Sequence, residues 1–214
     1  LNILVVAAHP DDEVLGCGGT IRKHVENEDE VHVLIMADGV SSRFGGTLRR
    51  TEEAKKSAEI LGVSTIEFLE YPDNRMSDSD ILSAAKDVED KIAKVLPEVV
   101  YTHHNGDLNV DHRVVHEAVL VACRPQPGHP VKRVLFFEVP SSTEWRQSTF
   151  SPNSFNDITS TLRYKIAAMS CYESELRDYP HARSLDAIEN LARWRGATVG
   201  VNSAEAFMLG REIR

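Results

Sequence analysis

No stretch of this 214-residue chain approaches the about 18–20 consecutive apolar residues of a membrane span, and the longest apolar run, Ile3–Ala8, is strand-sized. Cysteine is scarce. The three residues, Cys17, Cys123 and Cys171, show no C-x-x-C spacing, so neither a disulfide framework nor a cysteine-type zinc site is expected. No positively charged leader precedes an apolar stretch, so a secretion signal is not expected, and the cysteine usage fits a reducing, cytoplasmic setting. Basic residues are outnumbered: 24 Lys and Arg face 33 Asp and Glu, a net charge of −9. That balance argues against a general nucleic-acid binder, which needs a clustered basic surface to neutralise phosphates. Repeats, low-complexity tracts and linkers are also missing, so one domain over residues 1–214 is expected. Against these absences stand an ordinary globular composition, 42% hydrophobic and 27% charged, and nine histidines.

The first half alternates between two hydrophobic periods. Asn2–Ala8 reads as a central strand buried on both faces, and Glu30–Ala37, Thr65–Leu69, Glu98–Thr102 and Arg133–Val139 read as further strands. Between them, Glu13–Glu26, Leu48–Leu61, Ser79–Leu96 and Asp111–Cys123 read as helices. Strands separated by helices imply right-handed crossovers and a mostly parallel sheet covered on both faces, a Rossmann-like three-layer α/β sandwich. After Pro140 the texture changes. Ser141–Asn156, with Trp145 and Arg146, reads as a loop or lid; Ser160–Tyr172 and Ser184–Gly196 read as helices, and Ala206–Leu209 as a short last strand. This tail is an elaboration of the same domain. Ligands of such sheets bind beyond the carboxyl ends of the strands, which singles out Ala8–Glu13, Asp38–Thr47, Tyr71–Ser77 and Thr102–His112.

Directly after the first strand comes Ala8-His9-Pro10-Asp11-Asp12-Glu13, a run of metal-binding or proton-moving side chains broken only by Pro10. A strand-to-helix turn with Asp11 or Asp12 as cap accounts for single acids. It does not account for His9, nor for adjacent carboxylates, which repel unless a cation lies between them. The second cluster, His103–His112, follows the fourth strand; its plain reading is a polar loop with Asp111 capping the next helix. A catalytic zinc site takes about three protein ligands and leaves one position open. His9 and Asp12 at one turn, with His112 from the facing loop, can converge on one ion, and Asp111 can orient a histidine or water from behind. Pairing His112 with His116 gives half of a zinc helix motif, but residue 113 is arginine rather than glutamate, so His116 reads as a packing histidine.

These residues resemble the PIG-L/LmbE-like zinc deacetylases. The likeness rests on AHPDDE after the first strand, Asp111-His112 opening a helix after the fourth, Arg50–Ala54 (RTEEA), Tyr71–Arg75 (YPDNR), Tyr172–Glu175 and the Val199–Phe207 region, and so covers essentially the whole chain. The resemblance implies one Zn²⁺ per chain, with Fe²⁺ also accepted by such donors, held by His9, Asp12 and His112. It implies Asp11 as general base, Asp111 behind the ligands, and Arg50 and Asp73 on sugar hydroxyls; Asn74 and Arg75 join them by adjacency. The implied reaction removes an N-acetyl group from a glucosamine-type sugar or conjugate. The family's usual His-Pro-Asp-His is here Asn109-Val110-Asp111-His112. Asn109 can donate to an oxyanion but cannot supply a proton, so the acid is Asp11 itself or a histidine of the same loop, His104 before His103.

Other readings compete. A receiver module would need a lone aspartate after the third strand followed by threonine and lysine, which Glu70–Asp73 does not provide. Gly16-Cys17-Gly18-Gly19 lies too far beyond the strand for a dinucleotide fingerprint and reads instead as close helix–sheet approach. A metal-binding but idle relative, or an amidase for a non-acetyl amide, stays open, as do the acetylated substrate and a homo-oligomeric state.

Overall fold

The computed structural model describes residues 1–37, 47–78, 81–147 and 150–214, so the predicted ligand segment Asp38–Thr47 lies, all but its last residue, outside the described residues. Five strands, β1 (Asn2–Ala7), β2 (Glu30–Ala37), β3 (Thr65–Tyr71), β4 (Val99–His103) and β5 (Arg133–Phe137), run parallel. Helices α1 (Asp12–Glu26), α2 (Thr47–Leu61), α3 (Ile81–Val95) and α4 (Val110–Ala122) carry four of the connections. The tail adds β6 (Ser154–Asp157), α5 (Leu162–Met169), α6 (Leu185–Ala197) and β7 (Ala204–Glu212). One seven-stranded sheet results, in the order β3-β2-β1-β4-β5-β7-β6, with β7 antiparallel to both β5 and β6. The expected α/β sandwich is present. Two details differ: the last strand is longer than Ala206–Leu209, and β6 forms within the stretch read as a loop. Among the described residues no helix is long and apolar enough to cross a membrane.

The unbroken apolar run of β1 has a direct cause. Ile3, Val5 and Ala7 pack into one core layer, and Leu4, Val6 and Ala8 into the other. A strand covered on both faces has no position for a polar residue until it leaves the sheet. It leaves at His9. Strand order reverses between β1 and β4, so the crevice at their carboxyl ends is the topological switch point.

Helix α1 reaches that crevice only because Gly16 lacks a side chain: a Cβ there would lie 2.3 Å from the Phe137 ring. The helix breaks at Cys17, whose φ/ψ of −149°/25° are not helical. An unbroken helix would bond Gly19 N–H to the Leu15 carbonyl. Here Gly19 and Thr20 N–H donate to the Glu205 carboxylate at 3.0 and 2.7 Å, and Lys165 Nζ donates to Leu15 O at 2.8 Å. Lys165 also pairs with Glu205 at 2.5 Å, so a buried ion pair from the tail takes the place of the missing rung. Stranding one buried charge costs about 3–5 kcal/mol, whereas removing both partners costs less. Glu205→Ala is therefore expected to lower the melting temperature by roughly 2–4 °C per kcal/mol, and Lys165→Met/Glu205→Leu less than that. A double variant as destabilised as the sum of its singles, in thermal melts, would show the pair to be uncoupled.

Candidate metal centre

The turn after β1 is held in an uncommon conformation. Asp11 has φ 111°, in the left-handed region that non-glycine residues seldom enter. Three contacts hold it there. Asp11 N–H donates to Glu13 Oε2 at 3.0 Å, Tyr172 Oη donates to the other Glu13 oxygen, and Arg50 Nη2 donates to Pro10 O at 2.7 Å. Burial pushes the Glu13 carboxyl up to about 7. The twist sends the carboxylates of Asp11 and Asp12 to different partners.

Asp12 turns inward. Its Oδ2 lies 3.2 Å from His9 Nδ1 and 3.1 Å from His112 Nε2, and one ligand atom from each residue falls within 4.8 Å of the others. The outward nitrogens meet carboxylates as well. His9 Nε2 lies 2.9 Å from Asp111 Oδ2 and 3.2 Å from Asp73 Oδ1, and His112 Nδ1 lies 3.1 Å from Asp107 Oδ1. A carboxylate behind each imidazole fixes its tautomer and aims the other nitrogen at a metal. His9, Asp73 and Asp111 form a second group of similar compactness, but Asp111 already accepts Asn74 N–H at 2.6 Å and Met76 N–H at 3.0 Å. Asp12 Oδ1 is buried with no hydrogen bond, and both His112 nitrogens, although 3.1 Å from carboxylate oxygens, lack hydrogen-bond geometry toward them. Buried polar atoms are nearly always partnered, and two imidazoles with one carboxylate suit Zn²⁺ or Fe²⁺. The donor set His9, Asp12 and His112 fits the implied ion.

Charge follows the same pattern. Burial disfavours a charged His112, yet Asp12 and Asp107 outweigh it and push the imidazole up to about 9. Burial likewise opposes an ionised Asp12, and His112 with His9 holds it well below the usual carboxylate range. Asp107 sits at about 2: His112 and the hydroxyls of Ser142 and Thr143 overcome its burial. Asp11 stands apart from the donor set. Burial pushes it up to about 6 against the pull of Arg183, whose Nη1 is 3.1 Å from Oδ2, and of Arg50, 3.8 Å from Oδ1. Asp11 Oδ1 makes no hydrogen bond.

The remaining predicted residues divide. Asp73 is buried against His9, and Arg50 braces the Pro10–Asp11 turn and lies 3.6 Å from Glu175. Asn74, at φ 57°, accepts from Asn109 Nδ2 at 3.4 Å. Arg75 is exposed, its backbone N–H donating to Pro72 O. Asn109, rather than Asp111, caps α4: its Oδ1 accepts Asp111 N–H at 2.8 Å, and Asp111 instead ties the Asp73–Met76 turn to His9. His103 accepts Ala8 N–H at Nε2 and stacks on His112 with ring centroids 4.0 Å apart, forming a wall of the site. His104 is not brought to this group. Successive side chains leave a strand on opposite faces, and its ring packs edge-on against Phe150 with neither nitrogen hydrogen-bonded. Sequence reasoning missed Asp107, Glu175 and Arg183. Asp107 had a signal, lying within the His103–His112 cluster; Arg183, 172 positions from Asp11, had none.

Residues 4–123 match the family described as PIG-L: GlcNAc-PI de-N-acetylase. The diacetylchitobiose deacetylase of Thermococcus kodakarensis is 30% identical over 200 residues, covering 81% of this chain and 70% of that protein. The 4-oxalmesaconate hydratase of Pseudomonas putida is 34% identical over 195 residues, covering 79% and 72%. Among solved structures, the conserved protein TT1542 from Thermus thermophilus superimposes with a TM-score of 0.84 at 26% identity, covering 100% of this chain and 96% of that one.

A metal must displace the proton that Asp12 and Asp107 hold on His112 in the metal-free protein. Zinc binding at pH 7 is thus expected to release protons, with apparent affinity rising with pH and levelling off above about 9. Calorimetry in buffers of different ionisation enthalpy reads this directly; pH-independent affinity contradicts the assignment of His112 as ligand. Asp107→Asn is expected to weaken zinc about 10–100-fold in chelator competition.

Proposed function

This chain belongs to the GlcNAc-PI de-N-acetylase (PIG-L) family, and on that footing we propose that it is a metal-dependent hydrolase removing an N-acetyl group from a glucosamine-type sugar or sugar conjugate. One observation carries the reading. Of two adjacent buried carboxylates, Asp12 faces the histidines, while Asp11 is held beside them by arginines with Oδ1 unbonded. Amide hydrolysis needs those two roles kept separate, a ligand and a base. The deacetylase named among the relatives supports the same chemistry; the hydratase shows that the scaffold serves another water-using reaction, so activity decides.

His9, Asp12 and His112 would hold one zinc ion, which supplies Lewis acidity toward an amide carbonyl and makes water more acidic. Asp11 accepts the proton of the attacking water at Oδ1. Arg183 and Arg50 counter the burial that would otherwise keep this carboxyl protonated. Asn109 Nδ2, whose partner oxygen is engaged in the helix cap and which itself reaches Asn74 Oδ1 at 3.4 Å, would donate to the oxyanion. With His104 packed against Phe150, Asp11 also returns the proton to the leaving amine, which departs with acetate as co-product. Asp73 and Asn74 flank the histidines where sugar hydroxyls would meet the site.

Screening N-acetylated sugars on the zinc-loaded protein by amine detection, with and without chelator, tests the reading. Chelator-sensitive amine release is expected, and its absence across the panel overturns it. Asp11→Asn should keep its zinc and lose about 10²–10⁴-fold in kcat; full turnover would remove Asp11 as base. Asn109→Ala should cost roughly 10²–10³ in kcat, more than His104→Ala, and the reverse order would restore His104 to the chemistry.

A further inference from the structure

Beside the metal centre lies a cavity of about 270 Å³ whose lining includes Asn109, Ser141, Trp145, Arg177, His181 and Arg183. Asn109 and Arg183 belong to the reacting side, since one caps α4 beside His112 and the other binds Asp11. The other wall has a different character. In a chain of net charge −9, it presents Arg177 and His181, and the cavity as a whole has two arginines and a histidine against one carboxylate, Glu175. That carboxylate is already matched: Arg183 Nη1 lies 3.0 Å from it and Arg50 Nη2 3.6 Å. Arg183 is in turn engaged by Asp11 and by Ser141 Oγ at 2.6 Å.

Arg177 differs. Its Nη1 donates to the carbonyls of Ser174 at 2.9 Å and Leu176 at 2.7 Å, which fixes the guanidinium, and among the described residues no carboxylate pairs with it. His181 accepts Arg183 N–H at Nδ1, so its neutral ring carries the proton on Nε2, a donor on an exposed side chain. Backbone bonds from His181 N–H to Asp178 O and from Ser184 N–H to His181 O hold this segment in shape without a ligand. Trp145, 60% exposed, lines the same cavity. An exposed indole offers a flat apolar face for a sugar ring, and a guanidinium with open N–H groups matches the oxygens of a carboxylate or phosphate.

Resting on the deacetylase reading, we propose that this cavity takes the part of the substrate beyond the acetamido sugar, and that this part carries an anionic group, carboxylate or phosphate, bound by Arg177 and His181 with the sugar against Trp145. The protein then selects an acidic conjugate over a neutral glycoside.

The test compares N-acetylglucosamine 1-phosphate, a carboxymethyl glycoside of N-acetylglucosamine and its neutral methyl glycoside. Amine release gives kcat/KM on the zinc-loaded protein. In parallel, calorimetry measures binding of the three deacetylated counterparts to metal-free protein. A charged compound is expected to lead the methyl glycoside about tenfold in both measurements, the size of one charge-assisted hydrogen bond. Which one leads identifies the anion. Arg177→Gln should bring the charged-to-neutral ratio close to one, and His181→Ala should reduce it. Equal values for charged and neutral compounds, or a preference that survives Arg177→Gln, overturns the proposal. Should wild type release no amine from any of the three, the deacetylase reading fails, and the binding ratios still judge the anion site.

Discussion

Seven carboxylates, Asp11, Asp12, Glu13, Asp73, Asp107, Asp111 and Glu175, are buried where β1 and β4 end, and everything around them answers to that concentration of negative charge. A single buried, unpaired carboxylate costs several kcal/mol, so each must be given a proton, a cation or a set of N–H donors. All three solutions are in use. Asp111 accepts two backbone N–H groups, Glu13 is pushed up to about 7 and bonded by Tyr172, and Glu175 sits between two arginines. Asp12 and Asp107 rely on His9 and His112, which can be charged or can ligate a metal, but not both at one nitrogen. A divalent cation in their midst would replace the protons on the imidazoles and relieve the repulsion in one step. Much of the chain's acidity is thus turned inward, and −9 says little of what a ligand meets at the surface.

The division of labour between Asp11 and Asp12 follows from backbone geometry. Neighbours in a helix or strand would differ in direction by a fixed amount; here a left-handed residue between strand and helix separates their surroundings completely. Asp12 sees imidazoles and Asp11 sees guanidiniums. Burial raises both carboxyls; at Asp12 the imidazoles overcome it and hold the group well below its ordinary range, whereas at Asp11 the guanidiniums offset it only in part and the group rises to about 6. Environment, not residue type, distinguishes the proposed ligand from the proposed base.

What the sequence displays is what lies close together along it. The buried apolar run of β1, the acidic turn after it and the Asp-His pair at α4 are each within a few residues, and spacing alone places them at the carboxyl edge of a parallel sheet. Distant pairings leave no such trace. Nothing near Arg183 marks it as a partner of Asp11, and nothing near Lys165 marks it as the residue that fills a gap in α1. Strand β6 escapes for another reason: Ser-Phe-Asn-Asp is short, polar and on a sheet edge, where natural sequences avoid the alternation that advertises a strand. His104 misleads in the opposite sense, since two adjacent histidines at a strand end point to different faces and only His103 reaches the site wall.

The family match ends at residue 123, yet the site it contains depends on the residues after it. Tyr172 bonds Glu13, Arg183 and Glu175 form the charged frame around Asp11 and Arg50, and Thr143 with Ser142 holds Asp107 behind His112. Glu205 and Lys165 repair the break that lets α1 approach the sheet. Take these away and the first 123 residues still carry every predicted ligand and the base, but Glu13 loses its hydroxyl, Asp11 its nearest cation, and Asp107 two of its donors. Under the desolvation that burial imposes, those carboxylates would take up protons or pull the turn open to water. The tail is therefore the part of the fold that keeps Asp11 ionisable and Asp12 aimed, and it brings Arg177 and His181 to the cavity wall as well. The proposed ligands and base lie in the first 123 residues; the residues after them set the charge state of that group and line the cavity beside it.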